Sequence, residues 1–298
     1  MKLTEHVYML SGVPYSTNSN TYAIEADGQL LIIDAGYSTF QWEVMQRVMC
    51  DWQLDRLRIS HLFLTHIHFD HAGNAHRAKA LGAKICVSEA DGQSLREGSK
   101  NTLCEMKAAF PDDFIPCEPD QILKPGDVLT IGEVRLEVIE GRGHSAGSLL
   151  FLVTIDGKHI LFTGDCISVW PDDAKDNVTV QLAWCGGPDA DVEQYGETLR
   201  RLAELDANLL APGHYHPYYG DTRPLFLQAI RLFEERYHKY GSKKDRRRFI
   251  RSAAGLFYIT KVACYSVGSM SVTFTPALRI ASMARGSAPV SVMRWVMS

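Results

Sequence analysis

The chain has 298 residues, 46% of them hydrophobic and 22% charged, with a formal net charge of −4. That balance belongs to an ordinary soluble globular protein and excludes a disordered chain, a collagen-like fibre and a disulfide-rich mini-protein. The length admits two domains, or one large α/β domain with a tail.

In chain order, Met1 to Leu10 contains Glu5 and His6 and no apolar stretch long enough for a signal-peptide core. The expected location is therefore the cytoplasm. Tyr22 to Glu25 and Leu30 to Asp34 read as strands joined through the hairpin signal Asp27-Gly28, and Trp42 to Trp52 has helical periodicity. His61 to Thr65 is a short buried-type strand, Ala72 to Leu81 a helix ended by Gly82, and Ala83 to Ser88 another strand. A second strand-rich block follows: Val134 to Ile139, Leu149 to Ile155 and His159 to Thr163, the last two joined by Asp156-Gly157. Helices return at Val192 to Leu205 and Leu225 to Tyr240. Two strand blocks, each accompanied by helices, predict two packed sheets with helices outside.

Charge divides the chain unevenly. Lys243 to Ser298 carries ten Lys or Arg against the single acid Asp245, a net +9, which leaves −13 for residues 1–242. The run Lys243-Lys244-Asp245-Arg246-Arg247-Arg248 reads either as a solvated basic linker or as a contact for anionic partners. The expected division is a catalytic domain over 1–242 and a basic tail, without an assigned role, over 243–298. No run of 18 strongly apolar residues precedes that tail, so no membrane span is expected in the body. The seven cysteines are odd in number and scattered, with no C-x-x-C pair, which disfavours both a disulfide framework and a thiolate zinc module.

The chemistry concentrates in Thr65-His66-Ile67-His68-Phe69-Asp70-His71, four potential metal ligands within six residues where a strand gives way to a helix. In extended chain His66 and His68 point the same way, because strand side chains repeat every two residues. Asp70 and His71 then turn with the opening helix, so a second ligand set can face a neighbouring site. Three further positions stand where a strand ends in a glycine turn: Gly143-His144, Gly164-Asp165 and Pro212-Gly213-His214. Strand ends are where α/β folds place ligands.

The full series, H-x-H-x-D-H followed by Gly-His, Gly-Asp and Gly-His, resembles the metallo-β-lactamase superfamily in its hydrolase form. The resemblance covers about residues 1–240 and includes Asp34-Ala35-Gly36, similar to the family's early strand-end aspartate. It implies an α/β fold, an αββα sandwich of two mixed sheets flanked by helices, with the site at one edge of the sheets. By similarity one metal is held by His66, His68 and His144, a second by Asp70, His71 and His214, and Asp165 bridges both. Nitrogen and oxygen ligands without thiolate suit zinc, with two Zn2+ per chain expected and manganese or iron also compatible. The implied reaction is attack by a metal-bridged hydroxide on an ester-like bond of a small molecule, a thioester, lactone or related acyl compound. In that scheme Asp70 also moves the proton and Asp34 orients a ligand histidine.

Departures from individual branches narrow the substrate. Class B β-lactamases usually have Cys or Ser where this chain has Asp165, which leaves β-lactam hydrolysis as a weaker alternative. Only 20 residues separate His144 from Asp165, too few for the inserted domain of the family's nucleases, so no nucleic-acid partner is expected. The lactonases' tyrosine after the bridging aspartate is missing from Cys166 to Trp170. Glyoxalase II-type thioesterases share the metal motif. A sulfur dioxygenase, holding one iron through His66, His144 and Asp165, is the alternative from another reaction class. Trp170, Trp184 and the loop Cys166 to Ala190 are expected to line the entrance. His216, Tyr218 and Tyr219 are candidate substrate or supporting contacts, and Cys166 is expected to be a packing residue.

Overall fold

Near-continuous apolar runs in the central strands dictate how many layers the chain must form, because the side chains on both faces of such a strand need cover. The computed structural model describes residues 1–104, 113–172 and 177–239. The basic segment 243–298, with its run 243–248 and Cys264, lies outside the described residues, as does Tyr240 at the expected end of the last helix. The first sheet has strands β1 (Val7–Ser11), β2 (Thr21–Ala26), β3 (Gln29–Ile33), β4 (Arg58–Phe63), β5 (Lys84–Ser88) and β6 (Gln121–Leu123), in that spatial order. Pairing is antiparallel as far as β3 and parallel from β3 to β6. The second sheet is built from β7 (Val128–Ile131), β8 (Val134–Glu140), β9 (Leu149–Ile155), β10 (Lys158–Gly164), β13 (Leu209–Pro212) and β14 (Tyr218–Tyr219), in the order β14-β13-β10-β9-β8-β7. Its one parallel pair is β10 with β13. Both sheets are therefore mixed, as expected.

The pleat sorts the core into three slabs. Tyr22 and Ile24 of β2, Leu31 and Ile33 of β3 and Phe63 of β4 face Phe151 and Val153 of β9 and Phe162 of β10 between the sheets. Their neighbours Ala23, Leu30, Ile32 and Leu62 face the other way, onto α1 (Thr39–Asp51) and α3 (Ala75–Ala80). On the far side Leu150 and Leu161 meet α5 (Val192–Leu202) and α6 (Arg223–Lys239). The aromatic pairs Phe63–Phe151 and Tyr22–Phe162, at 5.6 and 5.2 Å between centroids, join the sheets edge to face and contribute about 0.5–1.5 kcal/mol each beyond their buried area. The result is the expected αββα sandwich. Among the described residues no helix is long and apolar enough to cross a membrane.

Three local expectations differ from the structure. The helix expected over Ala72 to Leu81 is two pieces, α2 (Phe69–Ala72) and α3, broken at Gly73 and Asn74. Asn74 spends its hydrogen bonds elsewhere: its backbone N–H donates to Gly36 O at 3.0 Å and its side chain to Ala35 O and Ser38 O. A further helix, α4 (Glu89–Glu97), capped by Ser88, follows β5, where the sequence reading has none. The stretch after Asp165, expected to be a loop, contains a two-stranded hairpin, β11 (Ile167–Asp172) with β12 (Asn177–Leu182), which forms its own small sheet.

Candidate metal centre

Five strands end at one edge of the sandwich, and each is followed by a chemically active side chain. Asp34 follows β3, His66 follows β4, His144 follows β8, Asp165 follows β10 and His214 follows β13. The two sheets are tied together at this edge. Leu149 N–H donates to Thr65 O at 2.8 Å, Asn20 N–H to Gly213 O at 2.7 Å, and the Tyr22 hydroxyl to Pro212 O at 2.7 Å. His68 caps the short α2, whose single turn carries Asp70 and His71 round to the same place.

All seven residues singled out by the motif converge. His66 Nε2, His68 Nδ1 and His144 Nε2 lie 2.9–3.2 Å from one another. Opposite them, His214 Nε2 is 3.3 Å from both His71 Nε2 and Asp70 Oδ2. Asp165 stands between the two groups: Oδ1 is 3.1 Å from His71 Nε2 and 3.2 Å from His214 Nε2, while Oδ2 is 3.6 Å from His144 Nε2. Atoms about 2 Å from one tetrahedral ion are roughly 3.3 Å apart, so each group has the spacing of a ligand set. The chemistry of the donors agrees. Five imidazoles and two carboxylates converge with no thiolate, and buried Asp165 Oδ1 has no well-aligned hydrogen bond among the described residues.

Electrostatics prepares the donors. Burial, then the neighbouring imidazoles, holds His66 and His68 well below the ordinary imidazole range, and burial likewise lowers His144. The direction favours the neutral form of these three rings, the form whose lone pair can bind a metal. Burial opposes charge on Asp165 and Asp70 as well, but the imidazoles of His214 and His71 outweigh it and keep both carboxyls below the usual carboxylate range. For His71 burial is outweighed by Asp165, Asp70 and Asp34, and its pKa is raised.

The outer nitrogens of His66, His71, His144 and His214 each meet an oxygen. His71 Nδ1 meets Asp34 Oδ2 at 2.9 Å, His144 Nδ1 meets Trp184 O at 2.6 Å, and His214 Nδ1 meets Asn18 O at 3.2 Å. Asp34 also accepts from Thr65 N–H and the Thr65 hydroxyl, both at 2.8 Å, and that hydroxyl lies 3.1 Å from His66 Nδ1. One carboxylate thus orients His71 directly and His66 through Thr65, one histidine in each group. The sequence reading of Asp34 as an orienting residue is met by this geometry. Thr65, Asn18 and Ser19, whose hydroxyl donates to Asp70 O, were not singled out. Nothing in a lone Ser, Thr or Asn marks it as a support; only the contact does.

The entrance residues divide. Trp184 holds His144 through its carbonyl, and Trp170 packs at a tilt against Tyr215, 4.0 Å between ring centroids, with His216 at 5.9 Å. Tyr215, directly after His214, has a left-handed φ of 68°. Tyr218 and Tyr219 do not join the site: they form the edge strand β14, with Tyr219 exposed and Tyr218 against the helices. Cys166 is buried packing, as expected.

The sequence pattern of the metallo-beta-lactamase superfamily matches residues 15–214. The chain belongs to that superfamily. The uncharacterized protein YobT of Bacillus subtilis is 29% identical over 228 residues, 72% of this chain and 91% of its own length. The acyl-coenzyme A thioesterase MBLAC2 of Gallus gallus is 28% identical over 52% of this chain and 56% of its own length. A hydroxyacylglutathione hydrolase of Rhodobacter capsulatus is 30% identical over 39% of this chain and 36% of its own length. The chain thus spans about half or less of the curated hydrolases it matches. Among solved structures, a metallo-beta-lactamase family protein of Thermus thermophilus superposes with a TM-score of 0.62 at 20% identity, covering 88% of this chain and 95% of that one. The fold and the His/Asp clusters fit a metal-dependent enzyme of this superfamily, in which the relatives named above as a thioesterase and a hydrolase also fall.

Proposed function

We propose that the protein is a dinuclear zinc hydrolase that cleaves an ester-like acyl bond, with a thioester the favoured substrate: water adds to the acyl carbon and the thiol leaves. The observation that carries this reading is the pair of ligand groups sharing Asp165. His66, His68 and His144 would hold one ion, Asp70, His71 and His214 the other, and Asp165 would serve both. The ions supply Lewis acidity, which lowers the pKa of a water towards neutrality and stabilises negative charge on the substrate oxygen. The chain supplies the rest. The Asp70 carboxylate, whose Oδ2 is steadied by Asn18 Nδ2 at 3.1 Å, is the group to hold the proton released by the water. Trp170 and Tyr215 form an apolar wall beside His214 against which an acyl chain can lie. Relatives named as thioesterases, including an atrochrysone carboxyl ACP thioesterase of Aspergillus fumigatus at 23% identity, favour the thioester over the lactone. The catalytic unit is assigned to residues 1–242, acting in the cytoplasm, with 243–298 as a separate basic segment.

The test is a panel of acyl thioesters, lactones and β-lactams assayed with the zinc-loaded protein and with Trp170→Ala. Thioesters are expected to have the highest kcat/KM, and the variant to raise KM several-fold with kcat little changed. A lactone or β-lactam hydrolysed faster than every thioester would overturn the substrate assignment.

A further inference from the structure

His68 is the exception among the five histidines. With Nδ1 turned into the cluster, its outer nitrogen is Nε2, which is buried and without a hydrogen-bond partner among the described residues. A ring that offers Nδ1 to a metal carries its proton on Nε2, and a buried N–H left without an acceptor is destabilising. A matching orphan lies close by. Asp189 Oδ1 is also buried and also without a partner among the described residues. Both atoms face the Cα of Gly187: a Cβ built there would lie 3.6 Å from His68 Nε2, 3.6 Å from Asp189 Oδ1 and 4.0 Å from His144 O. Nε2–H, a carboxylate oxygen and a carbonyl oxygen around a methyl-sized niche are the polar partners that a single bridging water requires.

We infer that Asp189 is the positioning residue for His68, receiving the Nε2–H of that ring through a single water in the niche over Gly187. The inference rests on the reading of His66, His68 and His144 as one metal's ligands. It gives every histidine of the centre a held outer nitrogen, and it places the last holder on the loop before α5 rather than in the motif. The same carboxylate serves the cluster a second way, because Asp189 Oδ2 accepts Ala146 N–H at 3.1 Å, two residues beyond His144. The buried Asp91 carboxyl group packs nearby, its oxygens filling the space beside Gly147.

Two variants separate positioning from simple support of the loop. Asp189→Ala removes both contacts. Gly187→Ala leaves Asp189 on Ala146 and puts a methyl into the niche at ordinary van der Waals distance, so it should fold. Zinc affinities would be measured by chelator competition, and the imidazole N–H protons followed by NMR in the cobalt-substituted protein. Each variant is expected to weaken one of the two metals by about ten- to a hundredfold, the usual cost of losing such a partner, while the other metal holds. The His68 N–H signal should exchange rapidly with solvent in both variants, and those of His71 and His144 should not. Wild-type affinity for both metals with an unchanged His68 signal in Gly187→Ala would overturn the inference. Failure of the wild-type chain to bind two metals would overturn the centre itself, and this inference with it.

Discussion

Replacing Asp165 with alanine is expected to lower kcat/KM by on the order of a thousandfold, the upper end for loss of one preorganised electrostatic contact. The reason is that its two oxygens do different work. Oδ1 faces His71 and His214 while Oδ2 faces His144, so one substitution removes a contact from each ligand group. In the proposed centre, removal would also leave the charge of two ions without the carboxylate that balances it. Asp165→Asn is the informative companion, since it keeps the volume and loses the charge. It is expected to be nearly as impaired, with bound metal reduced in both variants and the melting temperature of the metal-free proteins close to that of the wild type. Activity of either variant within tenfold of wild type would remove Asp165 from the centre.

Gly213→Ala is expected to impair the enzyme although it alters no candidate ligand. A Cβ at this position would stand 2.6 Å from Asp165 Oδ1, 2.8 Å from His71 Cε1 and 2.8 Å from the backbone carbon of Gly164. None of these can step aside. Gly213 N–H donates to Gly164 O at 2.7 Å and its carbonyl accepts Asn20 N–H at 2.7 Å, so the turn is pinned from both sheets. The methyl must push Asp165 and His71 out of place, and misplacement of about 1 Å at reacting groups costs about a hundredfold in rate. Overpacking should also cost about 1–3 kcal/mol of stability, read as a lower melting temperature. Activity equal to wild type would mean that the turn yields more easily than its two backbone bonds suggest.

Much of this was legible in the residues, for reasons that differ between elements. Tyr22 to Glu25, Leu30 to Asp34 and Leu149 to Ile155 are mostly apolar runs, and strands apolar on both faces require layers on both sides. The candidate ligand set was legible because three histidines and an aspartate within six residues have few other uses, and the structure brings them together. What stayed hidden was whatever depends on contacts distant in sequence. The break at Gly73 follows from Asn74 bonding to the loop at Ala35 and Gly36, which no periodicity in 72–81 reveals. The strand β4 begins at Arg58, three residues before the expected His61, because its pairing with β3 extends to Gln29. Thr65 and Asp189 act through backbone amides and ring nitrogens brought to them by other strands, so their residue type alone carries no signal.

The most direct test is elemental analysis of the protein purified without chelator, combined with an assay of thioester hydrolysis on the same preparation. The account predicts about two zinc ions per chain, as a two-metal site requires, with hydrolysis lost on chelation and regained when zinc is returned. A single iron per chain, with oxygen consumed on persulfides and no thioester cleaved, would contradict it.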